Sequence, residues 1–278
     1  MKIGTIFRLL AFPIAAGALA AVYKVEKMRP LRDSTESKPI RTARNLALAA
    51  TAAGAMYFLE KPVAARVAST VERNRIGLLK IFRLPRWLEM VVSVVLLDYT
   101  LYLWHVLTHR VGILWHFHVV HHIDADLDAS TGLRFHFGEI VISVVWRAAQ
   151  VLIIGVSPDA LKVWQTILLP LVVFHHSNIE LPNSIERVLS KVLVTPRLHG
   201  IHHSVVQSET DSNWSSGLSV WDRLHGTFRD IGEHDGVVIG VPAFRRLSDL
   251  ELLSLIEMPF FEQRPSWELP PACITDER

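Results

Sequence analysis

The stretch WHVLTHRVGILWHFHVVHH, residues 104–122, holds six of the chain's 14 histidines. They form an HxxxH pair and an HxxHH motif, and a second HxxHH motif follows far downstream. Residues three and four apart project from one face of a helix, so each motif can direct imidazoles at a common point. Imidazole binds iron, zinc, copper and nickel. The eight histidines of these motifs are His105, His109, His118, His121, His122, His199, His202 and His203.

Packing alone is a poor explanation for so many clustered histidines, because each buried imidazole needs a polar partner. The chain lacks the HExxH motif of zinc proteases and the Glu-x-x-His pairs of carboxylate di-iron bundles. Its single cysteine, Cys273, excludes a cysteine-based zinc site and an internal disulfide framework. Eight histidines exceed the coordination number of one ion. The sequence therefore predicts a site for two metals.

The composition indicates a membrane protein with polar segments outside the bilayer. Half of the residues, 50%, are hydrophobic, 20% are charged, and the mean hydropathy is +0.28. These values are too apolar for an average soluble domain. The formal net charge is only +2, which gives no case for nucleic-acid binding.

Apolar runs in the first part of the chain predict membrane helices. Residues 3–23 are expected to form a retained membrane helix; a signal peptide cleaved near 18–20 is the alternative. A second crossing is predicted over residues 40–59, since about 20 apolar residues span a bilayer. Residues 60–86 resemble an amphipathic helix lying at the membrane interface, with a soluble surface helix as the alternative. A long apolar helix over residues 87–108 then carries the HxxxH pair at its end.

Two shorter apolar helices are predicted over residues 140–155 and 160–174. Each has about 15 residues, short of a full crossing, so they should form a hairpin that dips partway into the bilayer or pack on the other helices. From residue 177 the chain is more polar and should form an extramembrane cap, and the proline-containing tail after Pro259 should be irregular. Connectors 24–44 and 60–86 carry equal numbers of Lys and Arg, so charge does not settle the orientation.

Beyond these patterns, residues 98–140, DYTLYLWHVLTHRVGILWHFHVVHHIDADLDASTGLRFHFGEI, resemble the fatty acid hydroxylase superfamily. This superfamily includes sterol desaturases and C-4 sterol methyl oxidases. The resemblance resumes at FHHSNIELP, residues 174–182, and at VTPRLHGIHHSVVQSETDSNWSSGLSVWDRLHGTFRD, residues 194–230. It implies an all-α integral-membrane bundle whose cytosol-facing cap carries two iron ions. The implied activity is hydroxylation or desaturation of a sterol or fatty-acyl lipid with O2.

The resemblance implies ten iron ligands. They are His105, His109, His118, His121, His122, His136, His176, His199, His202 and His203. His175 would at most line the site, and His116, His225 and His234 are not expected to be ligands.

The chain also departs from the family pattern. His225 replaces the usual aromatic of WDRLFGT, Asn213-Trp214-Ser215 replaces Asn-Tyr-Gly, and Val172 stands where some members have a further histidine. These changes leave the shape of the substrate channel, and hence the substrate, open.

Acidic and amide side chains could orient the ligands, although structural roles such as helix capping are equally open for them. These candidates are Asp98, Asp124, Glu139, Asn178 and Asp222. No dinucleotide fingerprint, haem domain or cysteine cluster is visible, so electrons should come from a separate cytochrome b5-like protein, ferredoxin or reductase. Docking or membrane-anchoring candidates are Trp214, Trp221, Arg197 and Arg223.

The expected organisation is N-terminal membrane and interfacial helices over 1–86, a catalytic domain over 87–235 and a C-terminal tail over 236–278. Two other functions remain open from the sequence. One is oxidative cleavage of a glycerol ether lipid, as in alkylglycerol-ether monooxygenases. The other is a non-enzymatic membrane metal transporter or sensor, although a transporter should place its ligands near the bilayer midplane.

Overall fold

The computed structural model describes residues 17, 20–232 and 237–268, and these residues form helices without β-strands. Only three isolated β-bridges occur among them. The all-α fold class is thereby confirmed. His234, Cys273 and most of the helix expected over residues 3–23 lie outside the described residues. The helices are α1 (20–28), α2 (Lys38–Ala55), α3 (Lys61–Asn74), α4 (Leu78–Ile81), α5 (Arg86–Arg110), α6 (Gly112–His122), α7 (Phe137–Ile154), α8 (Pro158–His176), α9 (Asn183–Leu189), α10 (Pro196–His202), α11 (Gln207–Thr210), α12 (Val220–His225) and α13 (Leu252–Glu257).

Three apolar helices carry or adjoin the histidine motifs, and two of them have the length and composition of membrane spans. Among the described residues, these two helices are α5 and α7, each with a mean hydropathy of 1.7. The 18 residues of α7 extend about 27 Å, close to the ~30 Å hydrocarbon core of a bilayer. Exposed apolar side chains, including Val145 on α7 and Leu169 on α8, suit contact with lipid.

The prediction that the two later apolar helices are only about 15 residues long was wrong. Helix α7 has 18 residues because it begins at Phe137, where the His136 side chain accepts a hydrogen bond from Gly138 N. Helix α8 has 19 residues because it continues past Pro170, which lies inside it. Its start matches the expectation, since Ser157 caps it. Both helices are longer than expected and pack on α3 and α5, although α8 is not among the described helices with the composition of a span.

A hydrophobic core between α3, α5, α7 and α8 holds the apolar helices together. Ala64 and Ala68 of α3, Leu97 of α5, Val151 of α7 and Trp164 of α8 are buried in it. Small alanine side chains let two helices approach closely, as in membrane bundles.

The alanine-rich segment after residue 40 does not end as the sequence suggests. Helix α2 continues through a π-helical turn, Met56–Glu60, directly into α3. Arg41 and Asn45 of α2 are buried and bond to Asp124, far along the chain. These polar contacts direct one face of α2 toward the region of the HxxHH motif, and α2 is not among the helices with the composition of a span.

Residues 262–268 contain no helix or strand, as expected for the tail after Pro259. The segment before them, 237–261, is packed against the rest of the protein. Val241, Phe244 and Leu255 of this segment are buried with Leu48 of α2 and Val119 of α6 in a second hydrophobic core. This core lies directly behind α6 and holds the face of α6 that does not carry the HxxHH motif.

A close backbone crossing requires glycine where the α3–α4 loop meets the α7–α8 turn. Gly77 has φ +102°, and a Cβ at this position would lie 2.3 Å from Gly155 Cα. We expect Gly77→Ala to destabilise the protein by about 2 kcal/mol or more, because it combines strain with a backbone clash. Thermal unfolding in detergent measures this. Gly54→Ala, in α2 with no atom within 4 Å, is the control and should change stability by less than about 1 kcal/mol. Equal melting of both variants would contradict the described crossing.

Candidate metal centre

The histidine motifs converge where the apolar helices end. Helices α5 and α8 finish at this point and α7 begins there, while α6 follows α5 after the single residue Val111. Helix α10 brings the second HxxHH to the same place and is capped by Thr195, whose Oγ1 accepts from Leu198 N. Since α10 has Pro196 in its first turn, its start is fixed by the local sequence.

Nine of the ten predicted ligand histidines lie together in two groups. Within each group the candidate ligand atoms all lie within 4.8 Å of one another. The five-histidine group contains His105, His109, His118, His122 and His202. The four-histidine group contains His121, His176, His199 and His203. Each HxxHH motif contributes to both groups, since adjacent helix residues point about 100° apart.

The imidazole nitrogens within each group approach as the ligands of an ion do. Nε2 of His105 lies 3.2 Å from Nε2 of His118 and 3.1 Å from Nε2 of His202. In the other group, His176 Nε2 lies 3.0 Å from the Nε2 atoms of both His121 and His199. Nitrogens bound at about 2.1 Å and right angles to one ion are about 3 Å apart. The spacing therefore fits a coordination sphere.

Hydrogen bonds to the opposite ring nitrogen orient five of these histidines. Nδ1 of His105 donates to Trp214 O at 2.6 Å and Nδ1 of His202 donates to Ser212 O at 2.8 Å. The same bond joins His121 to Arg134 O, His176 to Val172 O and His118 to the Glu139 carboxylate. Each bond places the proton on Nδ1 and leaves an Nε2 lone pair directed into the group. Facing lone pairs repel one another unless a cation lies between them.

Burial keeps these imidazoles in the form that binds metals. It lowers the pKa of His202 to about 3 and lowers the pKa values of His199 and His203 well below the ordinary value, with neighbouring histidines adding to the effect. Neutral imidazole is the ligand form, so at neutral pH little proton release is needed before a metal binds. Buried nitrogens without a hydrogen-bond partner, such as His122 Nε2 and His109 Nε2, also fit ligands of a cation.

His136, predicted as the tenth ligand, lies outside both groups. Its Nδ1 accepts from Gly138 N at 2.9 Å, and its Nε2 donates to Ile256 O at 3.0 Å. Both ring nitrogens are thus occupied by backbone atoms, and the residue caps α7 and ties it to α13. His136 is thus the one predicted ligand that the structure does not bring into either group.

The other histidines outside the groups differ in how close they lie. His175 is buried with its ring centroid 4.1 Å from that of His199, but it is a member of neither group. His225 is stacked on Tyr99 and Tyr102 of α5, away from the groups. His116 is half-buried and also lies outside both groups.

Of the five acidic and amide side chains expected to orient ligands, Glu139 bonds directly to a histidine of the two groups. Its Oε1 accepts from His118 Nδ1 at 3.0 Å. Asp98 instead accepts from Leu218 N and Trp221 Nε1, so it ties α5 to the α12 region. Gly217 permits this contact, since a Cβ there would lie 2.2 Å from Asp98 Oδ1.

The remaining candidate orienting residues, Asp222, Asn178 and Asp124, bond to other parts of the protein and not to the histidines of the two groups. Asp222 accepts from the backbone N–H groups of Trp214 and Ser215, and so fixes the loop whose carbonyl orients His105. Asn178 bonds to the backbone of Arg32, and Asp124 lies in a buried charge network behind α6.

The residues suggested for docking an electron donor have structural contacts. Trp214 is buried, and Arg110 lies over its ring at 5.2 Å, so it is not a surface anchor. Trp221 bonds to Asp98, and the Arg223 guanidinium lies over the Phe228 ring at 3.5 Å. Arg197 lies 3.9 Å from Asp230.

Sequence reasoning missed the four backbone carbonyls that orient the histidines, because a carbonyl carries no residue-type signal. Arg41 and Asn45 were also missed, since they lie in a segment that resembles a membrane span. A signal existed for them, because polar side chains inside an apolar run mark functional or structural contacts.

Removing the Glu139 carboxylate should weaken metal binding at one group. We expect Glu139→Ala to lower the metal affinity of the five-histidine group by roughly 10- to 100-fold, because His118 loses its orienting acceptor. Titration of the metal-free protein with Fe²⁺ measures this, with exposed Glu180→Ala as the control. Unchanged affinity for both ions would show that Glu139 does not orient His118.

Two adjoining groups of imidazoles at the ends of apolar helices define a candidate two-metal centre of the kind found in membrane oxidases. The comparisons agree with this class. Residues 90–227 match the fatty acid hydroxylase family, and the chain belongs to this family. The resemblance deduced from the histidine motifs is confirmed.

Curated relatives match the same part of the chain. An ornithine lipid hydroxylase from Rhizobium tropici is 28% identical over 158 residues, which cover 56% of this chain and 46% of the relative. The human alkylglycerol monooxygenase is 29% identical over 58% of this chain and 35% of its own length. Mouse cholesterol 25-hydroxylase is 27% identical over 51% and 47%, respectively. The matches thus span less than half of each of these relatives. No solved structure gives a significant match.

Proposed function

We propose that this chain is a membrane-bound di-iron oxidoreductase that uses O2 to hydroxylate or desaturate a lipid. The observation that carries the proposal is the geometry of the two histidine groups. Their Nε2 atoms approach to 3.0–3.2 Å, while five of the rings direct Nδ1 to acceptors outside the groups. Family membership and relatives named as lipid hydroxylases and monooxygenases support the lipid as substrate class.

The donor set fits iron. It consists of imidazole alone, which is a ligand type that iron accepts. The nearby Glu139 carboxylate is a hydrogen-bond acceptor for His118 and not a member of the donor set. Two iron ions in the groups would supply the reduction of O2 and the removal of hydrogen from an unactivated C–H bond. The protein contributes orientation, since carbonyls such as Trp214 O and Ser212 O fix the rings, and burial, which excludes water.

The proposed membrane placement follows from the position of the site. Helices α5, α7 and α8 would cross or enter the bilayer, and the groups lie where α5 and α8 end, so a lipid chain can reach them from the membrane. We assign the chain as multi-pass with this end on the cytosolic side, where reduced electron carriers are available.

A separate electron donor is part of the proposal. Hydroxylation places one oxygen atom in the product and reduces the other to water, which consumes two electrons and two protons. Desaturation likewise reduces O2 to water, with two of the four electrons taken from the lipid. Since the sequence has no cofactor motif for a reductase domain, a cytochrome b5-like protein, ferredoxin or reductase would deliver the electrons.

Ether-lipid oxidation is a second candidate. It is favoured by relatives named alkylglycerol monooxygenase, one of which, from Xenopus tropicalis, is 31% identical over 52% of this chain. A glycerol ether differs from an acyl lipid in the bond next to the oxidised carbon, so the product distinguishes the two: oxidation there releases an aldehyde and glycerol.

The deciding experiment combines metal analysis with lipidomics. Purified protein should contain two irons per chain, and cells expressing it should gain lipids that differ from their precursors by one oxygen or two hydrogens. Zinc alone, in protein made with ample iron, together with an unchanged lipid profile would overturn the proposal in favour of a metal-binding or transport protein.

A further inference from the structure

The two histidine groups are closed on nearly every side, and one histidine marks the opening. Of the nine group members, eight are buried and His109 alone keeps partial exposure. Its neighbour Arg110 is exposed, at the corner where α5 turns into α6. Of the nine histidines, His109 is therefore the one that a lipid chain can touch from outside without displacing buried residues.

A tryptophan covers this opening. The Trp115 ring centroid lies 4.9 Å from that of His109 and 5.4 Å from that of His122, and it also lies 6.3 Å from His118. One flat apolar surface therefore contacts three members of the same group. Trp214 lies nearby, with its ring 6.3 Å from His109.

Trp115 is held in this position by the C-terminal segment 261–268. Its indole N–H donates to Ser266 Oγ at 2.9 Å, and the Trp267 ring stacks on it at 6.0 Å and 26°. Ser266 O accepts from Ala243 N, and Arg264 pairs with Asp249 at 2.9 Å. The segment is therefore anchored to the protein independently of Trp115.

This segment lies outside residues 90–227, which match the family. The position of Trp115 thus depends on a part of the chain that the shared histidine motifs do not specify. Trp115 and the segment that positions it touch the exposed side of the metal site. They are therefore suited to setting which position of the substrate reacts.

We propose that Trp115, positioned by Ser266 and Trp267, is a specificity-determining residue that fixes which carbon of an aliphatic lipid chain reaches the five-histidine group. The inference rests on the proposed function and adds the residue that selects the carbon. Indole packs broadly along a methylene chain and sets how deep the chain can pass. A smaller side chain at position 115 lets the chain advance by one or more carbons before it meets the histidines.

The first test is the position of oxidation. Trp115→Ala should change the ratio of positional isomers among the oxidised lipids by roughly tenfold, the scale on which a pocket discriminates one methylene, with bound iron retained. Trp115→Phe and Ser266→Ala should shift the same ratio less. Trp267→Ala should shift it as well, and Trp267→Phe, which keeps a stacking ring, should restore it. Trp87→Ala, exposed in the first turn of α5, is the control. Unchanged isomer ratios in Trp115→Phe and Trp115→Ala, both folded and iron-loaded, would overturn the proposal.

The second test does not need turnover. A phospholipid with a diazirine in its acyl chain is photolysed with the purified wild-type protein, and the labelled peptides are mapped by mass spectrometry. Labels should fall on residues 109–115 and 264–268, and Trp115→Ala should move them deeper, toward residues 118–122. Labelling confined to the lipid-facing helices would overturn the proposed approach path. Labelling at 109–115 without any oxidised lipid in cells would contradict the oxidase function and leave the path intact.

Discussion

A His202→Ala variant is expected to lose iron from the five-histidine group and to fall below about 1% of wild-type activity. The His202 ring lies 4.6 Å from His105 and 4.8 Å from both His109 and His122, so it is central to that group. Its Nε2 lies 3.1 Å from His105 Nε2, so removing it leaves a gap that water fills less rigidly. Iron per chain, from elemental analysis, and O2-dependent lipid oxidation measure the two effects.

The matched control for this change is His116→Ala. His116 is on α6, is half-buried and belongs to neither group. It should retain two irons and near-normal activity. Full iron content in His202→Ala would refute the assignment of His202 as a ligand, whereas loss in both variants would indicate a general folding defect.

The second large effect is expected at Asp124, where a buried charge network supports α6. Asp124 is fully buried and bonds to Arg41 at 3.1 Å, Thr131 at 2.8 Å and Asn45 at 2.8 Å. Asp124→Ala should cost about 3–5 kcal/mol, because Arg134 loses the carboxylate 3.9 Å away and Arg41 loses one of its three. Thermal unfolding in detergent measures the loss, and exposed Asp33→Ala is the control.

The same network predicts sensitivity to acid. Burial by itself raises the pKa of Asp124, but the charges of Arg41 and Arg134 outweigh it and hold the pKa below its ordinary value of 3.8. A carboxyl whose pKa is lower in the folded state stabilises the protein above the ordinary pKa and loses this contribution as the pH falls. The stability difference between wild type and Asp124→Asn should therefore shrink below about pH 4. A constant difference down to pH 3 would contradict the ionised state of Asp124.

The network also acts on the metal centre. Arg134 donates to Val120 O and Asn45 Oδ1, while its own carbonyl accepts from His121 Nδ1. Loss of Asp124 should therefore weaken iron binding in the four-histidine group before it affects the other group. Metal titration of Asp124→Asn, which is the milder change, tests this order.

Ligand candidates were predictable from the sequence because helical spacing is encoded in residue numbers. His199, His202 and His203 had to share a region of α10 wherever that helix lay. Their division between two groups was not predictable, since it depends on how α10 meets α5 and α6. The place of His136 outside the groups was not predictable, because a histidine before an apolar helix is compatible with both a ligand and a cap. The following Gly138 and Glu139 in the first turn favoured the cap.

Membrane segments were less predictable than the site. Apolar content gave α5 correctly, but α2 combines alanines with Arg41 and Asn45, whose partner Asp124 lies about 80 residues away in sequence. Hydropathy averages over such residues, and long-range pairing does not appear in a local pattern. The packing of Leu255 against the core behind α6 was hidden for the same reason.

The HH doublets have a consequence for how the centre fills with metal. His121 and His122 are adjacent in the chain yet belong to different groups. The same is true of His202 and His203. Binding of the first ion therefore orders the backbone that also carries ligands for the second ion. This lowers the entropy cost of binding the second ion. Under iron limitation, the population should divide into empty and doubly loaded chains, with few singly loaded ones.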